Sequence, residues 1–244
     1  MKRPELFITA LMVPILLLIS CDSDTTRITG EGPVVTKTIT VPDFTGIDLA
    51  GAANIIITQG ATQTVEVSAQ QNIIDRLETN VSGGIWTVKL EDGNYTNYDL
   101  TIYITVPTIS SLLVSGSGNI KVNDFTGQDD LALTITGSGN IEMNAFGGCE
   151  NLSVTITGSG NVMGTKDFSD LKNLDVVISG SGNFAAYPIV SDNCHISIPG
   201  SGVCFVTVND TLNISISGSG SVFYRGSPTV TQTITGSGVV MNTN

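Results

Sequence analysis

The chain has 244 residues; 41% are hydrophobic, only 13% are charged, and the formal net charge at pH 7 is -12. So many apolar and so few charged residues exclude a disordered acidic chain, and the acidity opposes phosphate backbones, so no nucleic-acid partner is expected. The 27 glycines do not recur at every third position, which excludes collagen; with abundant Thr, Val, Ile and Asn they point to many short strands and tight turns.

Lys2 and Arg3 precede an apolar run of 14 residues from Leu6 to Ile19. That is the length of a secretory signal core and falls short of the ~20 residues a membrane-spanning helix needs. The run ends Leu18-Ile19-Ser20-Cys21, which resembles the lipobox of bacterial lipoproteins. The resemblance implies cleavage before Cys21, with lipid on its thiol and on its new amino group. Several acyl chains anchor stably where one would be marginal. Residues 1–20 then read as a signal peptide. Residues 21–36, with Gly30, Gly32 and Pro33, read as the lipidated cysteine and a polar tether. Asp22-Ser-Asp-Thr-Thr after Cys21 resembles the surface-export signals of Bacteroidota lipoproteins, whereas enterobacterial rules would read Asp there as inner-membrane retention. The expected location is the cell envelope, lipid-anchored, with the outer membrane favoured and the leaflet left open by these two readings of Asp22.

Residues 37–110 read as a diverged N-terminal β segment. Strands are expected near 37–41, 53–58, 64–68, 85–90 and 99–106, with one helical turn between Gln70 and Leu77. Two stretches resemble later ones. Asp43-Phe44-Thr-Gly46 is similar to Asp124-Phe125-Thr-Gly127, and Gly51-Ala-Ala-Asn54-Ile55 is similar to Gly116-Ser-Gly-Asn119-Ile120. The segment also holds the only tryptophan, Trp86, and is expected to shield one end of the C-terminal repeats.

Residues 111–244 are organised by Gly-Ser-Gly, which occurs at 116–118, 137–139, 158–160, 180–182, 200–202, 218–220 and 236–238. A near-constant period of about 20 residues marks a solenoid. Before the turns come Leu133-Thr-Ile-Thr, Val154-Thr-Ile-Thr and Ile214-Ser-Ile-Ser, the alternation of a strand with one buried face. Each repeat is therefore a coil of strand, corner, short strand and loop, which buries its apolar stripe only by stacking. The fold class is all-β: a β-solenoid, a parallel β-helix of ~20-residue coils, with right-handed coiling expected from the usual crossover preference. The corner glycines Gly116, Gly118, Gly137, Gly139, Gly158, Gly160, Gly180 and Gly182 are expected to supply positive φ and to avoid a Cβ clash. Asn119, Asn140, Asn161 and Asn183 each follow the second glycine and are expected to form a hydrogen-bonded ladder. Phe125, Phe146 and Phe168 form a second column of stacked rings. Both ladders read as structural, a sugar-stacking stripe or an ice-like array being the alternative. The last coil, ending at Asn244, has no evident cap, so its strand edge is expected to pair with a partner or with another copy of the chain.

Chemistry-bearing residues are sparse. The single histidine, His195, alternates with Ile196 and Ile198 and is expected to point outward. There is no zinc-spaced Cys/His set, no Gly-x-Ser-x-Gly motif, and no dinucleotide fingerprint. No catalytic residue, metal or cofactor is expected. Asp124, Asp129, Asp130, Asp167 and Asp170 gather in the loops and read as a solvated edge, with weak cation binding as the alternative. Cys194 and Cys204 align with the apolar positions Leu131 and Ile141. Together with Cys149 they read as buried free thiols, a 194–204 disulfide being the alternative.

Three stretches, Val41-Pro-Asp-Phe44-Thr-Gly-Ile47, Val65-Glu-Val-Ser-Ala69 and Ser115-Gly-Ser-Gly-Asn-Ile120, resemble the head GIN domain family over roughly residues 37–244. Its members are described as putative auto-transporter adhesins and are common among exported proteins of Bacteroidota. The resemblance implies adhesion and carries no ligand residues to transfer. No C-terminal membrane barrel is expected, so lipid on Cys21 would be the tether. The expected function is a non-enzymatic, adhesin-like binding module for a glycan or a matrix protein. A structural, self-assembling envelope protein is the alternative. A polysaccharide-active enzyme ranks last, because several charged groups on one sheet face are missing.

Overall fold

The computed structural model describes residues 27–244. The signal peptide and the lipidation position Cys21 lie outside the described residues, whereas the second half of the expected tether is docked: Arg27–Thr29 pairs with Asn94–Thr96 and Val34–Ile39 with Thr64–Gln70. Residues 27–244 form a largely parallel β-solenoid whose coils stack in register, each coil contributing a strand to each of two stacks, which the long strands of the later coils join into one sheet.

The register follows from the alternation. In Asn151–Ile156, Leu152, Val154 and Ile156 are buried while Ser153 faces out. The same three inward columns run through Leu131, Leu133 and Ile135 on one side and Leu174, Val176 and Ile178 on the other. Each such Val, Leu or Ile contributes about 1.5–3 kcal/mol relative to an exposed one, but only because a neighbouring coil covers it. One sheet stacks Ser111–Val114, Asp130–Ile135, Asn151–Ile156 and Asn173–Ile178. The other, called here the asparagine sheet, stacks Asn54–Gln59, Asn119–Val122, Asn140–Met143 and Val162–Gly164. The long strands Phe184–Ile198 and Val203–Ile216 run through both sheets. Ser221–Arg225, Thr229–Ile234 and Val239–Asn242 complete the far end.

The N-terminal end departs from sequence order. Gly46–Leu49 and Asn54–Gln59 form a coil, and residues 111–122 stack on one side of it. The intervening chain stacks Ile85–Val88 and Thr101–Val106 on the other side. Two antiparallel strands lie further outward, Thr64–Gln70 on Thr101–Val106 and then Val34–Ile39. The one-turn helix Gln71–Ile74 buries Ile73 and Ile74. Trp86 is fully buried against Phe44, with ring centroids 5.5 Å apart, and its Nε1–H donates to the Glu78 carbonyl at 3.0 Å. Reversing strand direction at the end and placing Lys37 on the outermost strand blunts an edge that would otherwise template pairing.

Two expectations are corrected. Asp43-Phe44-Thr-Gly46 is not the equivalent of Asp124-Phe125-Thr-Gly127. Gly46 pairs with Ser111 inside a strand, whereas Gly127 sits in a loop at φ +69°. Gly51-Ala-Ala-Asn54, by contrast, is a true counterpart of the turn, since Asn54 pairs with Asn119. Second, none of the Gly-Ser-Gly glycines has a positive φ. They are required by axial packing: a Cβ on Gly137 would overlap the carbonyl oxygen of Gly116, and one on Gly139 that of Gly118. The same holds coil by coil to Gly236 and Gly238.

The remaining side of each coil is loop. Here Phe125–Thr126 pairs with Phe146–Gly147. The rings of Phe125 and Phe146 stack at 5.4 Å and 9°, and Phe168 lies beyond at 5.0 Å, all buried. Where coils lack a strand on this side, glutamines stand in. Gln59 accepts from the Thr126 amide at 3.0 Å and donates to its carbonyl at 2.8 Å. The buried Gln128 accepts from the Ile109 amide at 3.0 Å.

Cys194 continues the Leu174 column and Cys204 the Phe184 column. All three thiols in the described region are free and buried. Burial pushes the Cys149 thiol up to about 11 and raises those of Cys194 and Cys204 well above the ordinary thiol range. Since the thiolate is the reactive form, a thiol reagent such as dithionitrobenzoate at pH 8 is expected to label none of the three in the folded protein and all three in denaturant. Rapid native labelling would contradict this packing.

Candidate binding face

The asparagine sheet presents three outward columns, because residues two apart share a face. The first is Asn54, Asn119, Asn140 and Asn161, continued by Asn183. Asn119 Nδ2 donates to Asn54 Oδ1 at 3.2 Å, and Asn140 Nδ2 to Asn119 Oδ1 at 2.9 Å. Asn161 and Asn183 repeat the pattern at 2.9 Å. The predicted glycines and asparagines are thus brought together as one corner and its ladder, and the ladder begins at Asn54, one coil before the first Gly-Ser-Gly.

The second column is Ile56, Lys121, Glu142, Met163, Ala185, Phe205, Phe223 and Met241. Met163 is 48% exposed and Met241 50%. Lys121 and Glu142 pair at 2.6 Å. Phe205 is held between Tyr187, edge-on at 5.4 Å, and Phe223, stacked at 5.2 Å, with the Arg225 guanidinium 4.0 Å over the Tyr187 ring. The third column is polar: Asn123 donates to Thr58 Oγ1 at 2.9 Å and Thr165 to Asn144 Oδ1 at 2.7 Å. Along the first column lies a shallow groove of ≈ 590 Å³, walled by the asparagines and floored by the second column from Ile56 to Phe205. A hollow of ≈ 270 Å³ beside Gly51, Tyr95 and Tyr98 lies off the repeat and is smaller.

The opposite sheet carries a second amide ladder that the Gly-Ser-Gly repeat does not point to. Asn151 donates to Asp130 Oδ1 at 2.7 Å, Asn173 to Asn151 at 2.8 Å, and Thr211 to Asn193 at 2.6 Å. Its signal is an Asp or Asn immediately before each inward Leu131, Leu152, Leu174 and Cys194. The outer stripe of the asparagine sheet escapes sequence reasoning because its residue type changes at every coil. His195 is exposed on the opposite sheet, as expected.

The loop aspartates are not drawn into one cluster. Asp124 is taken by Lys166 Nζ, 3.0 Å from both oxygens, and this bond with the Ala145 amide holds its carboxyl below the usual range. Asp130 belongs to the ladder. Among the described residues no three His, Cys, Asp or Glu side chains stand together as metal ligands, and no helix is long and apolar enough to cross a membrane.

Residues 43–228 match the family described as "Putative auto-transporter adhesin, head GIN domain". Among solved structures, a "putative adhesin" from Bacteroides fragilis NCTC 9343 superposes with TM-score 0.80 at 23% identity, over 88% of this chain and 100% of that one. A "putative lipid binding protein" from Parabacteroides distasonis ATCC 8503 gives 0.71 at 24%, over 89% and 100%. A "putative adhesin" from Parabacteroides merdae ATCC 43184 gives 0.69 at 21%, over 89% and 99%. At these identities the likeness is one of fold. No curated protein matches the sequence.

Proposed function

The chain belongs to the head GIN domain family, and from that premise we propose that it is a non-enzymatic, adhesin-like binding module of the cell envelope, for a glycan or a matrix protein. In this reading it is exported, anchored at the outer membrane by lipid on Cys21, and presents its solenoid to the outside. The observation that carries the proposal is the groove of the asparagine sheet. It is a continuous face whose asparagine wall repeats coil after coil, a geometry that serves a repetitive ligand through many weak, simultaneous contacts. The family description and the lipobox-like Leu18-Ile19-Ser20-Cys21 support the envelope location.

The test compares cells making the protein with cells making Cys21→Ala, on surfaces coated with glycans or with matrix proteins. The expected result is antibody labelling of intact cells and retention on at least one coating, both lost when Cys21→Ala releases the protein into the medium. Surface labelling without retention on any coating would refute the binding role. Self-assembly is the second reading, favoured by one observation: Val230, Ile234 and Val240 of the last strands are only partly covered. Sedimentation of the purified protein showing concentration-dependent growth would favour it.

A further inference from the structure

The hydrogen bonds of the asparagine ladder leave a one-sided remainder. A primary amide has two donor hydrogens and an oxygen with two lone pairs. Asn140 Oδ1 and Asn161 Oδ1 each accept both the backbone and the side-chain N–H of the next asparagine. Asn183 Oδ1 accepts from the Val203 amide at 2.9 Å. Each Nδ2 of Asn119, Asn140, Asn161 and Asn183 donates once along the ladder. The acceptors are therefore largely consumed, while one N–H per coil is left over. The groove wall is a row of donors repeating at the strand spacing of about 4.8 Å.

The floor adds apolar surface and no net charge. Its ionic groups, Lys121 and Glu142, are paired with each other. Met163 and Phe205 offer a thioether and a ring, separated by the small Ala185. The half-exposed Phe205 ring is immobilised by Tyr187 and Phe223, so little freedom is lost when something packs against its exposed part. We infer that this groove binds an uncharged, extended glycan laid along the solenoid axis, its ring faces on Met163, Ala185 and Phe205 and its oxygens on the free asparagine hydrogens. The inference rests on the adhesin-type reading above.

Other ligand classes fit less well. A pyranose ring has C–H groups on its faces and oxygens at its rim, the pattern the floor and wall complement. An acyl chain would have to lie on the Lys121–Glu142 pair and strip it of water. An acidic polymer would meet a protein of net charge -12 with no unpaired cation among the residues lining the groove. A peptide strand adds to a free sheet edge, but the backbone here is already paired on both sides of each groove strand from Asn119–Val122 inward. The floor from Ile56 to Phe205 spans five strand steps, about 24 Å.

The test is a titration of the full-length protein with neutral oligosaccharide series of increasing length. Polygalacturonate, phosphatidylcholine vesicles and a panel of matrix proteins are run beside them. Met163→Asp and Ala185→Trp place a charge or a bulky ring in the groove. Val177→Asp does the same at an exposed position on the opposite sheet. One neutral series is expected to bind with affinity rising to roughly five rings, one per strand step. Both groove substitutions are expected to weaken it at least about tenfold, and Val177→Asp to leave it unchanged, with little dependence on salt. Binding of a matrix protein, of polygalacturonate or of vesicles in place of neutral glycans would overturn the glycan assignment and leave the adhesin reading standing. Glycan binding insensitive to both groove substitutions would overturn the site. No binding to any probe would count against both.

Discussion

Gly139→Ala is expected to destabilise the solenoid by about 3 kcal/mol or more, at or beyond the upper end of what overpacking a core costs. The new methyl would overlap the Gly118 carbonyl oxygen and stand 2.8 Å from Val114 Cγ1. Overpacked side chains usually relax by changing rotamer, but a backbone carbonyl has no such freedom. The neighbouring turn is tied by its own bonds, Ser138 N–H to the Gly116 carbonyl at 3.0 Å and Gly137 N–H to the Val114 carbonyl at 3.1 Å. Relief requires the two coils to separate, which uncovers the apolar columns on both sides. Two other glycines give the contrast. Gly51 has nothing nearer its would-be Cβ than 3.7 Å and no positive φ, so Gly51→Ala is expected to be neutral or slightly stabilising through the unfolded chain. Gly127 has open space but φ +69°, so Gly127→Ala is expected to cost about 1 kcal/mol of backbone strain. Urea midpoints of the three variants check the order. Equal losses at Gly139 and Gly127 would mean that turn conformation, not coil spacing, selects glycine.

Phe146→Ala is expected to cost about 3–5 kcal/mol, the range for truncating a buried aromatic. Its ring is fully buried between Phe125 and Phe168, at 5.4 and 5.0 Å. Truncation removes a ring from the middle of a stack whose neighbours are fixed by their own coils, so the gap cannot collapse. The short pairing of Phe125–Thr126 with Phe146–Gly147 is weakened as well. Phe146→Leu should recover a large part of the loss, and His195→Ala, on the exposed outer face, should change the midpoint little. A Phe146→Ala loss below about 1 kcal/mol would mean that the loop side of the coils contributes little to holding them together.

The solenoid was legible because its coils are nearly equal in length and each carries the same corner. The end at residues 34–106 was not, although four of its strands lay where alternation put them. Stacking order there runs against chain order, and nothing in a local pattern says on which side of Asn54–Gln59 the chain will lay Thr101–Val106. The role of the corner glycines is hidden from a local pattern for a related reason. Glycine in a turn suggests positive φ, whereas here it reflects how closely the next coil approaches, a property of two segments about twenty residues apart. The sequence does hold the clue at Gly51-Ala52-Ala53. Alanine stands at the second glycine position where no like corner precedes it. The asparagine column was visible as a repeat, and its spare donors were not, since they emerge only from counting which hydrogens the ladder uses. The stripe Ile56, Lys121, Glu142, Met163, Ala185, Phe205 has no repeated identity at all. It becomes a surface only through register.

The most direct test tracks the side-chain amide resonances of ¹⁵N-labelled protein as the best-binding neutral oligosaccharide is added. Groove binding predicts shifts at Asn119, Asn140, Asn161 and Asn183 that saturate together, with Asn151 and Asn173 on the opposite sheet unmoved. Shifts confined to the opposite sheet, or saturable binding that leaves the four groove asparagines unmoved, would contradict it.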